Sequence, residues 1–257
     1  MDIHPTAIVD PKAELADDVV VGPYAVIGPH VRIGSGTSIG SHTVIEGWTE
    51  IGANNRISSF VSIGFPPQDL KYKGSPTRLV IGNGNTIREY ATIHRGTEHG
   101  GGETRIGHHN LIMAYVHVAH DCILHNRVIM ANAAMLAGHV VIEDDAVIGG
   151  FVAIHQFSRI GTHAYIGAKA GIKKDIPPYM LATGYPAKLY GPNLVGLRRK
   201  GFSTEAIQGL KKAYRIIFRS GQTLSKAIEE VRREVGNVAE VETLLRFIDG
   251  TQRGITR

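Results

Sequence analysis

The stretch VVVGPYAVIGPHVRIGSGTSIG, residues 19–40, decides the fold. Val21, Ile27, Ile33 and Ile39 fall six residues apart, and each is followed by glycine, at Gly22, Gly28, Gly34 and Gly40. A small or branched residue often sits four places on: Ala25, Val31, Thr37. A helix needs a period of 3.6 and a half-buried strand a period of 2. Period six is the signature of a parallel β-helix, in which each hexapeptide lays down one flat face and three make a triangular coil of 18 residues. The apolar position points into the prism and stacks on its copy one coil later, about 4.8 Å away. The glycine is expected at corners that need φ > 0.

The pattern runs back to Ile3 and forward to Ile63, returns at Ile81, Ile87 and Ile93, and after a one-residue phase shift continues from Ile106 to Ile172. That makes 26 in-phase apolar positions, too many for chance, and roughly nine coils, a prism ~45 Å long at the strand spacing. Two segments break the rhythm: FPPQDLKYKGSPTRLV (65–80) and GTEHGGGETR (96–105). Their Gly, Pro and polar residues predict loops projecting from a rigid scaffold, where function tends to reside. The repeat ends at Ile176-Pro177-Pro178, so residues 1–185 are expected to form the β-helix and 186–257 a helical region. Ser203 is expected to cap a helix reaching Arg219, and Thr223 one reaching Val235. Asn237, with Glu240 three later, is expected to form a capping box for a third helix, closed by Gly250.

Hydrophobic residues at 43% and charged residues at 20% describe an ordinary folded chain. Glycine, 31 of 257 residues, exceeds the average near 7% because the repeats use it. The single cysteine, Cys122, excludes a disulfide framework and a four-cysteine zinc module. It also suits a reducing compartment. No secretory leader is visible and no run of ~18 apolar residues occurs, so a cytoplasmic protein without membrane insertion is expected. The net charge of +5 divides unevenly: residues 1–185 carry 14 basic and 16 acidic side chains, residues 186–257 carry 14 and 7. The basic tail suits an anionic partner. Nucleic acid is not indicated, since the basic residues are not interleaved with aromatics and no recognition motif occurs.

Ten of the 13 histidines lie between His94 and His163. Folding the chain by 18 stacks His120, Gly138 and Gln156, with His139 and His155 beside the last two and His117 and Asp121 flanking the first. Neutral imidazole, with an ordinary pKa near 6.5, can take a proton from a hydroxyl at neutral pH. A carboxylate can hold its tautomer, and Asp121 is the candidate, although neighbours in a strand point to opposite faces. A glycine N–H one coil above the base suits the oxyanion of an acyl transfer. Three histidines equally suit zinc with an open position, and solvated polar faces remain a third reading. No P-loop, dinucleotide glycine motif or Ser-His-Asp order is present.

At these residues the chain resembles a known family. The hexapeptides resemble the left-handed parallel β-helix acyltransferases, and the hand comes from that resemblance. More narrowly, QDLKY (68–72), TIHRGT (92–97), HVAHDC (117–122), LAGHV (136–140), HQF (155–157) and RRKGFS (198–203) are similar to the UDP-N-acetylglucosamine acyltransferases, which open lipid A biosynthesis. The resemblance covers almost the whole chain.

It implies transfer of an (R)-3-hydroxyacyl chain from acyl carrier protein to the glucosamine 3-hydroxyl of UDP-N-acetylglucosamine. It implies no cofactor beyond the carrier's phosphopantetheine, and a homotrimer with sites between prisms. His120 is then the base, Asp121 its orienting carboxylate and Gly138 the oxyanion donor. His117, His139 and Gln156 contact the sugar or acyl-linked groups, and His94 lies nearby. Gln68, Asp69 and Lys71 come from the neighbouring subunit's loop, and Asn193, Arg199 and Lys200 face the UDP or phosphopantetheine phosphate. Ala168 stands where well-known members carry glycine in the acyl groove, Val195 where they carry an acidic residue, and Lys200 where they carry arginine. Two rivals share the fold: the N-acyltransferase of the same pathway, which usually carries an extra N-terminal domain, and a trimeric zinc hydratase using His117, His120 and His139. A non-catalytic scaffold is a third. By this reading Asp121→Asn is expected to be milder than His120→Ala, because the base remains.

Overall fold

In the computed structural model, which describes Met1–Arg257, short strands wind into a three-sided prism with one parallel sheet per face. The first face begins at Asp2–Ile3, the second at Ile8–Val9 and the third at Glu14–Leu15. The six-residue apolar positions stack as the repeat demands: Ile27 on Ile45, Ile45 on Ile63, Ile63 on Ile93 and Ile93 on Val118. The last two pairs span extra residues, yet the register is unbroken, so each insertion is extruded whole. The strand before the first loop runs through Phe65 and the chain re-enters the sheet at Arg78; after the second loop it re-enters at Glu103. Both loops are thus shorter than the sequence pattern outlines.

Ile27, Ile45, Ile63, Ile93, Val118 and Leu136 are almost fully buried. Burying each such side chain stabilises the fold by ~1.5–3 kcal/mol. Polar residues inside the prism have partners. Asn85 donates its backbone N–H and its amide to Asn55 Oδ1 at 2.9 and 3.0 Å, and Asn110 does the same to Asn85. Such a ladder is satisfied only if coils stack without a slip, so it fixes register as well as adding hydrogen bonds.

The glycine expectation is corrected. Of the repeat glycines only Gly64, ahead of the first loop, has positive φ (79°); elsewhere positive φ falls two residues after the glycine position, and the occupants are often large: Tyr24, His42, Phe60, Tyr90, Tyr115, His139 and Phe157. The repeat glycines answer a different need, close backbone stacking: a Cβ at Gly40 would sit 2.5 Å from the backbone of Ser58 and Ser59. At the corner between the first and second faces, the left-handed residues stack their rings. Tyr24, His42, Phe60, Tyr90 and Tyr115 form a continuous column with centroids 4.9–5.3 Å apart. The corner between the second and third faces carries both loops and, one coil apart, Asp121, His139 and Phe157. The outer surface of the third face is charged, with Arg32 paired to Glu14 and Arg78 to Glu50.

Beyond Ile172 the chain forms an antiparallel hairpin, Met180–Thr183 with Lys188–Pro192, which extends the first sheet. Helices follow at Leu194–Arg199, Thr204–Arg219, Leu224–Val235 and Ala239–Asp249. Ser203 caps the second through a 3.0 Å bond from Ala206 N–H. The expected capping box at Asn237 is not formed: Val238 is the N-cap, with no side-chain cap bond. The hairpin and the first short helix have no counterpart in the sequence reading. The helices do not bury their core alone; Arg159 of the prism lies 4.3 Å from the Phe247 ring centroid. No helix is long and apolar enough to cross a membrane.

Candidate active site

The histidines that the 18-residue arithmetic stacks do meet. A Cβ built on Gly138 would lie 2.4 Å from His120 Cε1, so the ring of one coil covers the glycine of the next. The corner resolves the concern about Asp121. At φ 58° its side chain turns back from the strand, and Oδ2 lies 2.7 Å from His120 Nδ1. The carboxylate also accepts from Thr97 N–H at 2.9 Å and from the Thr97 hydroxyl at 2.7 Å. Burial alone would raise this carboxyl; the bonds from His120 and Thr97 outweigh burial and hold it below its ordinary range. Asp121 is therefore a buried carboxylate that stays ionised, facing one nitrogen of a half-buried histidine.

The surrounding histidines are kept neutral. Burial lowers the basicity of His117 and, before the opposing pull of Asp121, of His139. His94 is 6% exposed, and burial together with His117 pushes it down to about 4. Its Nδ1 has no partner, and its ring meets His117 edge-on at 5.0 Å. His117 is fixed from the other side by Thr92, whose hydroxyl lies 2.7 Å from Nδ1. His139 stacks on Phe157 and meets His120 edge-on. Gln156 and His155 stand exposed one coil further on. Cys122, inside the prism, is pushed up to about 12 by burial and is no nucleophile.

A cleft of about 380 Å³ opens on the second face beside these groups, lined by His117, His120, Gly138, Met135, Ala153 and Gln68. Gln68 belongs to the first loop of the same chain, so the expectation that this loop reaches a neighbour's histidines is corrected. Asp69 follows, bonded by Lys71 N–H and His99, while Lys71 itself is exposed. The metal reading is also altered. His120, Asp121 and His139 bring ligand atoms within 4.8 Å, but His117 is not part of that group. This is not the three-histidine set expected for a zinc hydratase.

Asn193, Arg199 and Lys200 lie elsewhere. With Val195, Tyr165 and His163 they line a cleft of about 710 Å³ on the first face. Asn193 is buried: Oδ1 caps the short helix by accepting from Gly196 N–H, and Nδ2 donates to His163 O. Lys200 Nζ sits 2.8 Å from Asp145, so it is already paired. Arg199 is exposed and makes no ion pair. Ala168 is exposed at the ringed corner between the two faces. Sequence reasoning missed Thr97 and Gly100. A Cβ on Gly100 would lie 2.2 Å from the Asp121 carboxylate. Thr97 closes the TIHRGT motif but was given no role there, and the only sequence signal for Gly100 was its position in the second insertion.

Comparison with known proteins completes the site. The family model described as Udp N-acetylglucosamine O-acyltransferase, domain 2, matches residues 175–256, and that of the bacterial transferase hexapeptide (six repeats) matches residues 139–174. The acyl-(acyl-carrier-protein)–UDP-N-acetylglucosamine O-acyltransferase of Halorhodospira halophila is 54% identical over 255 residues, covering 99% of each chain. That of Syntrophobacter fumaroxidans is 56% identical over 258 residues, covering all of both. The solved UDP-N-acetylglucosamine O-acyltransferase of Moraxella catarrhalis is 44% identical and superposes over the full length of both chains with a TM-score of 0.97. The fold is accordingly the left-handed parallel β-helix with a C-terminal helical region. With this likeness running the whole length of the chain, loops and histidine corner included, the protein belongs to the UDP-N-acetylglucosamine O-acyltransferase family.

Proposed function

We propose that this chain transfers an (R)-3-hydroxyacyl group from acyl carrier protein to the 3-hydroxyl of UDP-N-acetylglucosamine, the first step of lipid A biosynthesis, and does so in the cytoplasm as a homotrimer. The observation that carries the chemistry is His120 between a buried carboxylate at Nδ1 and the open cleft. With Nδ1–H donated to Asp121, Nε2 is the free base. It takes the proton of the sugar hydroxyl as that oxygen attacks the thioester carbonyl. The oxyanion forms near Gly138, whose N–H makes no bond within the chain. Collapse breaks the C–S bond, and the imidazolium returns the proton to the departing thiolate. Asp121 stabilises that imidazolium, and the neutral neighbours add no competing positive charge. No cofactor is needed beyond the carrier's phosphopantetheine.

The split between the two clefts supports the assembly. The base opens on the second face and Arg199 on the first, with the ringed corner between them in one prism. Laying the first face of one copy beside the second face of the next unites them, and a heterologous contact of this kind forms a ring where the rotation between copies closes. The ringed corner between those faces would then point to the axis. Its Tyr24, Phe60, Tyr90 and Tyr115 are 45–60% exposed in one chain, whereas the charged third face suits solvent.

Purified protein incubated with UDP-N-acetylglucosamine and a panel of hydroxyacyl carrier proteins tests the reading: O-acylated nucleotide sugar is expected, and its absence with every donor refutes it. The same panel reads chain length. Ala168 adds one methyl where members with glycine leave the groove open, and a buried methylene is worth about 0.8 kcal/mol. Ala168→Gly is expected to shift preference toward longer donors and Ala168→Met toward shorter ones. An unchanged profile in both moves the ruler to another residue.

A further inference from the structure

We propose that His99 is a positioning residue: it holds the first loop, through Asp69, at a fixed distance from the catalytic histidine. This rests on the acyltransferase reading, in which Gln68 and Asp69 meet the acceptor sugar. Both loops spring from the same corner, and the second is locked to the base at two points. Thr97 gives two hydrogen bonds to Asp121, and Gly100 packs against the same carboxylate without room for a Cβ. Between these anchors His99 projects toward the first loop and places Nε2 3.1 Å from Asp69 Oδ2. The other oxygen of Asp69 accepts from Lys71 N–H at 2.9 Å, closing a tight turn. One four-residue segment thus grips both the carboxylate that orients the base and the carboxylate that faces the acceptor.

Two further ties hold the loops side by side. Lys73 N–H donates to Glu98 at 3.0 Å. Arg95, 8% exposed and without an ion pair, donates to the Tyr72 hydroxyl at 3.2 Å and to Gly64 O at 2.8 Å, its guanidinium 5.6–5.8 Å from the Tyr72 and Trp48 ring centroids. These secure the base of the first loop. Pro67 is buried just ahead of Gln68, and beyond it the contact from the second loop at Asp69 is His99, since Leu70 beside Asp69 is fully exposed. Without His99 the turn at Asp69 survives, but its placement over the cleft is lost.

The test is steady-state kinetics of the full chain as His99→Ala and His99→Gln. The alanine variant is expected to raise KM for UDP-N-acetylglucosamine about three- to tenfold, the range supplied by one partly exposed charge-assisted hydrogen bond. That rise should exceed any fall in kcat. Glutamine, which keeps an N–H donor of similar reach, should restore most of the loss. Hydrogen exchange gives a reading independent of activity: amides of residues 68–73 should exchange faster in His99→Ala, with thermal melting unchanged. A wild-type KM in the alanine variant, equal losses with alanine and glutamine, or unchanged exchange in the first loop would each overturn the assignment. Failure of the wild-type protein to acylate the sugar would refute the acyltransferase reading instead, and the exchange experiment would still decide the clamp.

Discussion

His120→Ala is expected to lower kcat by about 10²–10⁴, the usual share of general acid–base catalysis, with little change in the KM for the nucleotide sugar. The ring contributes little to the fold, because it lies at a corner over the cleft and not in the prism core, so the variant should melt like the wild type. Near-normal turnover in the folded protein would remove His120 from its role. The geometry also reverses the sequence-based expectation for Asp121→Asn. An asparagine must still satisfy Thr97 N–H, and only its carbonyl oxygen can accept that bond. Its NH₂ then faces Thr97 Oγ1 and His120 Nδ1, both now required to accept. Imidazole that accepts at Nδ1 carries its proton on Nε2, the wrong tautomer for a base. The loss in Asp121→Asn should therefore approach that of His120→Ala. A mild effect would show that the carboxylate merely orients the ring.

What the sequence disclosed follows from where the physics is periodic. Stacking of Ile27, Ile45 and Ile63 repeats at every coil, so the pattern announces itself, and an insertion such as 66–77 shows as a break in phase. The same arithmetic brought His120 to Gly138, since both sit on the lattice. Contacts off the lattice were not legible. Thr97 reaches Asp121 from a loop whose path no period describes, and His99 reaches Asp69 from one loop to another. Asn55, Asn85 and Asn110 occupy lattice positions that the apolar period does not single out; only the structure shows each bonding the next. The left-handed corners were assigned to the wrong residue for a different reason. Glycine is the default occupant of positive φ, yet here stacking of neighbouring rings accompanies residues such as Tyr90 and His139 in that conformation. Asn193 looked like a ligand contact by family resemblance, whereas its amide also closes the first helix.

Gly138→Ala is expected to reduce kcat by roughly 10²-fold or more, within the range for losing a positioned base. The backbone at Gly138 is not left-handed, so alanine adds no torsional strain. Its methyl would, however, lie 2.4 Å from His120 Cε1, 2.8 Å from Nε2 and 3.0 Å from Nδ1. No carbon fits there. The backbone is held by the Phe157 N–H bond to Gly138 O, so the ring must swing away. That breaks the 2.7 Å contact to Asp121 and moves Nε2 off the acceptor hydroxyl. An alternative account is that the substitution disturbs the Gly138 N–H and hence the oxyanion, a loss that also runs to about 10²–10³. The double variant separates the two, because residues that act as a unit are not additive. With His120 already alanine the three atoms that crowd the methyl are gone. If ring displacement is the cause, His120→Ala/Gly138→Ala should be no slower than His120→Ala alone. If the N–H is what suffers, the second substitution should cost a further factor of the same size. Single-turnover rates on the residual activity would decide it, and additivity of the two losses would replace the steric explanation with the electrostatic one.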